Sequence, residues 1–155
     1  LPGIVEIYNQ AIRTGGITAH LSTFEVEERN QWFQEHSTDK YPILVATHNL
    51  DIVGYLTISP YREGRKGLQK TVEISYYVHQ NHYRKGIGRN LLTAGLELSQ
   101  KLGYETVFCI LLSGNEASIS LLSTFNFKFW AELPAVAKIG GKFLNHYYYG
   151  KRLTD

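Results

Sequence analysis

Val78-His79-Gln80-Asn81-His82-Tyr83-Arg84-Lys85-Gly86-Ile87-Gly88-Arg89 is the stretch from which the rest of the sequence falls into order. Before it, Thr71 to Val78 is a β-branched and aromatic run that reads as a strand. After it, Leu91, Leu92, Gly95, Leu96, Ser99 and Leu102 make one helical face that ends before Gly103. A strand therefore feeds a helix through a glycine loop. Glycines at 86 and 88 let the backbone turn tightly and approach a ligand, while the free N–H groups of a helix N-terminus form a site for phosphate oxygens. Arg84, Lys85 and Arg89 add positive charge, although the same residues also read as an ordinary helix start with a solvated basic rim. A dinucleotide fingerprint would need glycine where Leu91 stands, and the Walker A pattern GxxxxGK[ST] is absent.

Working outward, Ile4, Ile7, Tyr8, Ala11 and Ile12 form the stripe of an amphipathic helix that Gly15-Gly16 ends. A second helix is predicted over Glu25 to His36, with Ser22 and Glu25 at capping-box spacing and Val26, Trp32 and Phe33 as apolar anchors. Ile43 to Thr47 and Ile52 to Ile58 read as strands of a hairpin around His48-Asn49-Leu50-Asp51, followed by a loop from Tyr61 to Lys70. Downstream, Thr106 to Leu112 is a buried strand, and Asn115 caps a helix that runs to Thr124. Phe127, Phe129, Ala131 and Leu133 on one side of Gly140-Gly141, and Phe143 to Tyr149 on the other, give two more strands. The order α-α-β-β-β-α-β-α-β-β, with no repeat or linker, predicts one α/β domain over residues 1–155 with a mixed sheet.

Composition narrows the function. The 155 residues, 43% hydrophobic and 19% charged, suit a single globular core. Sixteen Lys and Arg against fourteen Asp and Glu leave a net charge of +2, too small for the counterion-release binding of a nucleic-acid protein. No run approaches the roughly 18 to 20 apolar residues of a membrane span, and Leu1-Pro2-Gly3 lacks the features of a secretory signal, so no membrane partner is expected. The lone Cys109 cannot form an internal disulfide, which makes a cytoplasmic setting the expectation.

The loop Tyr83-Arg84-Lys85-Gly86-Ile87-Gly88 resembles the acetyl-CoA pyrophosphate loop of the GNAT acetyltransferase superfamily, whose pattern is [Q/R]xxGx[G/A]. Tyr83 departs from the first position, which leaves the backbone donors of the loop unaffected. Tyr41 to Ala46, Ile52 to Tyr55, Thr71 to Val78 and Asn115-Glu116-Ala117-Ser118 then follow in the order of phosphinothricin acetyltransferase-like members, so that nearly the whole chain is covered. The resemblance implies a mostly antiparallel central sheet with flanking helices and acetyl-CoA as acetyl donor. It also implies a strand before the first helix, absent here, in keeping with the lack of an initiator Met.

Site residues follow from the same resemblance. Backbone groups near Tyr76, Tyr77 and Val78 would hold the cofactor where the central strand parts from its neighbour, together with Tyr83, Arg84, Lys85, Gly86, Ile87, Gly88 and Arg89. Asn115 and Ser118 would contact the pantetheine. Glu73 is the candidate base; a carboxylate that is partly buried has its pKa raised toward the working range. Its alternative is a solvated side chain on a polar face with Ser75. The tyrosine or histidine that relatives place seven residues after the asparagine is here Leu122, which leaves the acid for the thiolate unassigned. Tyr8, Phe24, Tyr61, Arg62, His146 and Tyr148 are the candidate acceptor-binding residues, and Arg62 is suited to a substrate carboxylate.

His79 and His82, in a loop without a neighbouring Cys or acid, read as surface histidines, and no metal is expected. Cys109 reads as a small core residue, and Tyr147-Tyr148-Tyr149 as a strand packed on both faces. The expected activity is direct acetyl transfer to the amine of a small molecule, such as an amino acid, phosphinothricin or methionine sulfoximine. Acetylation of a protein N-terminus or lysine, and CoA binding with little catalysis, are the alternatives. Relatives of this kind are often homodimers.

Overall fold

The structure is a computed structural model and describes residues 1–154. Alternation along each strand builds it. In β3 (Thr71–Val78), Val72 and Ile74 point to one side and are fully buried, whereas Thr71, Glu73, Ser75 and Tyr77 take the other. β2 (Asp51–Pro60) is buried on both faces, which makes it a central strand. Leu56, Ile58, Val72, Ile74, Val107 and Cys109 pack with Leu91 and Leu92 of α3 (Ile87–Lys101) and Leu122 of α4 (Glu116–Thr124). On the opposite face, Tyr55 receives Ile4, Ile7, Tyr8 and Ile12 of α1 (Pro2–Thr14). The sheet is thus covered by helices on both sides.

Six strands lie in the order β1-β2-β3-β4-β6-β5, with β1 (Ile43–His48), β4 (Thr106–Leu112), β5 (Lys128–Ile139) and β6 (Lys142–Arg152) completing the set. Every neighbouring pair is antiparallel except β3 with β4. The mixed, mostly antiparallel sheet with flanking helices is the architecture expected from the sequence. The β1–β2 hairpin turns through Asn49 and Leu50, both at positive φ, as a two-residue hairpin loop requires. The last hairpin is longer than its sequence pattern indicated, because pairing continues past the apolar residues through Ile139↔Lys142.

The second helix is shorter than expected. A 3₁₀ turn at Glu27–Arg29 leads into α2 (Asn30–Gln34), and the Ser22–Glu25 capping box does not form. Instead the Glu28 carboxylate accepts from the Glu25 N–H at 2.7 Å. Just before it, Asn9 of α1 holds Phe24 by both backbone groups: its amide donates to Phe24 O and its Oδ1 accepts from Phe24 N, each at 2.9 Å. That buried clamp takes precedence over the local capping signal. No helix among the described residues is long and apolar enough to cross a membrane.

α3 lies close to the sheet because of Gly95. A Cβ there would stand 2.7 Å from Leu56 Cδ1, and Leu56 is fully buried and has nowhere to move. Gly95→Val should therefore destabilise the fold by about 1–3 kcal/mol, the usual cost of overpacking, measured as a lower urea midpoint with unchanged slope.

Candidate active site

The parallel ladder between β3 and β4 lasts for three pairs, Thr71↔Thr106, Val72↔Val107 and Glu73↔Phe108. Beyond Glu73, β3 stays with β2 as far as Val78↔Gly54, while β4 follows β6 as far as Leu112↔His146. The two strands part, and a gap opens in the sheet. Tyr61 N–H donates to Thr71 O and His79 N–H to Val53 O, so the odd-numbered residues of β3 face β2. The N–H groups of Tyr76 and Val78 consequently face the gap, without strand partners.

Beyond Val78 the chain is anchored by side chains that sequence reasoning missed. Gln10 of α1 accepts from Gln80 N–H at 3.0 Å and bonds His79 Nε2 at 3.0 Å. His79 Nδ1 accepts from Asn81 N–H at 3.1 Å, capping a 3₁₀ turn at Gln80–His82. His79 is thus a structural strut rather than a loose surface residue; no signal marks such a pairing between residues 69 apart. Among the described residues no group of three or more His, Cys, Asp or Glu is arranged to hold a metal ion.

Gly86 precedes α3 at φ 80°, a conformation that strains any residue with a Cβ. The first helical hydrogen bond runs from Asn90 N to Gly86 O, and no side chain caps the helix. The N–H groups of Ile87, Gly88 and Arg89 are left pointing out of the first turn, at the end of the gap, in the arrangement that favours phosphate oxygens. A Cβ on Gly88 would stand 3.2 Å from Leu121 and 4.0 Å from Tyr76 Cε2, so glycine keeps this crevice open. Arg84, Lys85 and Tyr83 are exposed along the loop, whereas the Arg89 guanidinium turns onto α4, where it donates to Thr124 at 3.3 Å and lies over Phe125. Across the crevice Asn115 Oδ1 accepts from Ser118 N–H at 3.4 Å and caps α4, as its sequence position predicts. Leu122 is fully buried in the core.

Glu73 sits where the strands separate. Its carboxylate is half-buried and enters no ion pair or hydrogen bond among the described residues. Burial lifts its pKa above the ordinary 4.5. Phe108, its partner in the ladder, centres an aromatic group on the same face, with Tyr61 at 4.9 Å, Trp130 at 5.4 Å and Tyr148 at 5.9 Å between ring centroids. Trp130 lies flat on Gly150, where a Cβ would come within 1.9 Å of its ring. Phe108 and Trp130 were not among the sequence candidates; the alternation of β4 marks the first, and nothing in the sequence marks the second.

The acceptor residues expected to converge form two groups. Tyr61, Arg62 and Tyr148 gather near Glu73, and His146 lies two residues from Tyr148 on the same strand face. Tyr8 and Phe24 belong instead to a cluster at Tyr77: Tyr8 meets Tyr77 edge-on at 5.1 Å, and Arg29 lies over Trp32 at 4.3 Å and over Phe24 at 4.8 Å. The Tyr8 hydroxyl is already engaged by Thr18 and His20. These two residues act as packing for α1, because their polar groups are committed within the cluster. A cavity of about 590 Å³ lies on the far side of the Tyr61–Lys70 loop, against Tyr41 and Tyr104. It contains neither Glu73 nor the gap, so we place the site at the parted strands.

The comparisons with known proteins agree with this arrangement. The sequence model described as the Acetyltransferase (GNAT) family matches residues 4–127. The chain is 32% identical over 142 residues to the L-amino acid N-acyltransferase MnaT of Escherichia coli, covering 92% of this chain and 82% of that protein. It is 32% identical over 146 residues to an L-methionine sulfoximine/L-methionine sulfone acetyltransferase of Pseudomonas aeruginosa, covering 94% and 84%. Among solved structures, yncA of Salmonella typhimurium with its cofactor acetyl-CoA superimposes with a TM-score of 0.91 at 30% identity, covering 97% of this chain and 87% of that one. The chain belongs to the GNAT acetyltransferase family, and it is an N-acetyltransferase.

The environment of Glu73 has a measurable consequence. Because burial raises its folded-state pKa above the unfolded value, the folded chain holds that proton more tightly, and stability is lost as pH rises through the folded pKa. Glu73→Gln should therefore be more stable than the parent near pH 7. The advantage should vanish below the ordinary carboxylate pKa, as followed by urea unfolding at several pH values.

Proposed function

We propose that this chain transfers an acetyl group directly from acetyl-CoA to the primary amine of a small amino acid or amino-acid analogue, with Glu73 as the base. The carrying observation is one continuous gap: it opens at an unpaired, half-buried carboxylate and ends at the uncapped first turn of α3. Five residues of strand separate Glu73 from Val78, about 16 Å at the usual rise per residue, a length suited to an extended pantetheine arm. The glycine-lined crevice at Gly88 and the unpaired strand N–H groups fit that group chemically. Bound there, acetyl-CoA supplies an acetyl group activated as a thioester.

The chain's own residues supply the rest. The N–H groups of Ile87, Gly88 and Arg89, with Arg84 and Lys85 beside them, are the pyrophosphate donors, while Asn115 and Ser118 form the opposite wall. Tyr76 and Val78 N–H groups are the donors facing the acyl arm and its carbonyl oxygen. Glu73 takes a proton from the acceptor ammonium, for which its raised pKa makes it a better base than a solvated glutamate. Tyr61, Phe108, Trp130 and Tyr148 are the apolar walls for the acceptor side chain, and Arg62, close enough to Tyr148 to act on its hydroxyl, is the reader of a substrate carboxylate. The relatives named for L-amino acids and methionine sulfoximine support an amino-acid acceptor. A soluble panel of free amino acids and short peptides with acetyl-CoA tests it; turnover of peptides alone would overturn it.

Acetyl-CoA at a hundredfold excess over its Kd should stabilise the protein by about 2.7 kcal/mol, read as a rise in Tm. Gly86→Asp and Gly88→Asp should remove that rise, since each places a carboxylate in the phosphate cradle. Glu73→Gln should keep acetyl-CoA affinity while turnover falls by roughly 10²- to 10⁴-fold. The defect should shrink as pH approaches the amine pKa of about 9 to 10, where the acceptor deprotonates without help. Wild-type turnover in this variant at neutral pH would remove Glu73 from the mechanism.

A further inference from the structure

Among the described residues, one buried side-chain polar atom lacks a hydrogen-bond partner: the hydroxyl oxygen of Tyr76. Such an atom is costly in a dry interior, and buried hydroxyls in native proteins are nearly always paired. The position of the ring makes the omission informative. Tyr76 lies on the part of β3 beyond its last pairing with β4, so its backbone faces the gap. Its side chain emerges on the α3 and α4 side of the sheet, under Gly88 and toward Ser118 in the first turn of α4. Ser118 approaches the hydroxyl without completing a hydrogen bond, and the other ionisable neighbour is Cys109, buried and with its thiol pushed up by that burial. The hydroxyl thus stands between the two helix mouths that flank the gap, with no protein acceptor.

Transfer breaks the C–S bond of the thioester as the C–N bond forms, and the sulfur departs with the bonding pair. Leu122 cannot assist, because it is apolar and sealed in the core. We propose that the Tyr76 hydroxyl donates a hydrogen bond to the departing CoA sulfur, and that the vacancy at this hydroxyl in the free chain is the seat of that sulfur. The inference rests on the acetyl-CoA reading given above. Burial pushes the Tyr76 hydroxyl far above its ordinary value, so it remains protonated and acts as a hydrogen-bond donor, while the proton released by the acceptor leaves through Glu73 and solvent.

Tyr76→Phe removes only the hydroxyl and tests the idea directly. Because an unpaired polar atom is deleted, the free variant should melt at the same temperature as the parent or higher. Turnover should fall by about 10- to 100-fold, the worth of a hydrogen bond to a charged atom. Titration calorimetry supplies a readout independent of turnover: the variant should bind CoA more weakly than the parent, increasingly so as pH rises from 7 to 9.5 and the thiol ionises, yet bind desulfo-CoA with parental affinity. Parental turnover, or an equal loss of affinity for CoA and desulfo-CoA, would overturn the inference and leave Tyr76 as packing. If the parent chain binds neither CoA nor acetyl-CoA, the acetyl-CoA reading falls and this inference with it.

Discussion

Three residue pairs of parallel ladder, from Thr71↔Thr106 to Glu73↔Phe108, hold the two halves of the sheet together, and everything functional depends on their ending there. A ladder that continued would satisfy the backbone of Tyr76 and Val78 and close the gap. A ladder that failed sooner would separate β1–β2–β3 from β4–β6–β5. The strands part because each has a competing antiparallel partner that continues: β2 for β3, and β6 for β4. Helices on both faces then brace the halves, α3 through its close approach at Gly95 and α1 through Tyr55 and Tyr77.

The same geometry accounts for the chemistry of Glu73. At the last paired position its side chain is shielded by Phe108 and its aromatic neighbours, yet no basic residue reaches it. An ion pair would stabilise the carboxylate and lower its proton affinity; its absence costs stability and yields a stronger base. Tyr76 has the same character on the opposite face, a polar group left unsatisfied in the free fold. Both lie on β3, on either side of the point where pairing ends.

The acceptor side is built differently, from large rings rather than strand edges. Gly150 admits Trp130 against the backbone of β6, and Trp130 in turn supports Phe108 beside Glu73. Trp130 occupies a register irregularity between Phe129 and Ala131, and a bulge of this kind re-aims a side chain that regular alternation would send elsewhere. The cluster of Tyr8, Phe24, Arg29 and Trp32 at Tyr77 stands apart from it and secures α1 and the segment after it.

By itself the sequence determined the element order, the glycine loop between β3 and α3, the cap at Asn115 and the strand that carries Glu73, because each depends on local periodicity or turn chemistry within a dozen residues. It misjudged the segment after Glu25, where the capping signal of Ser22 yields to the Asn9 clamp on Phe24. Only the tertiary structure decided that Tyr8 and Phe24 are packing residues, that Gln10 and His79 brace the loop, and that Trp130 reaches Phe108. It alone also decided that Tyr76 lacks a partner and where the β3–β4 ladder stops. Those features arise from contacts between distant segments, and which of several competing partners a backbone or side-chain group takes is fixed only when the whole sheet and its covering helices are assembled.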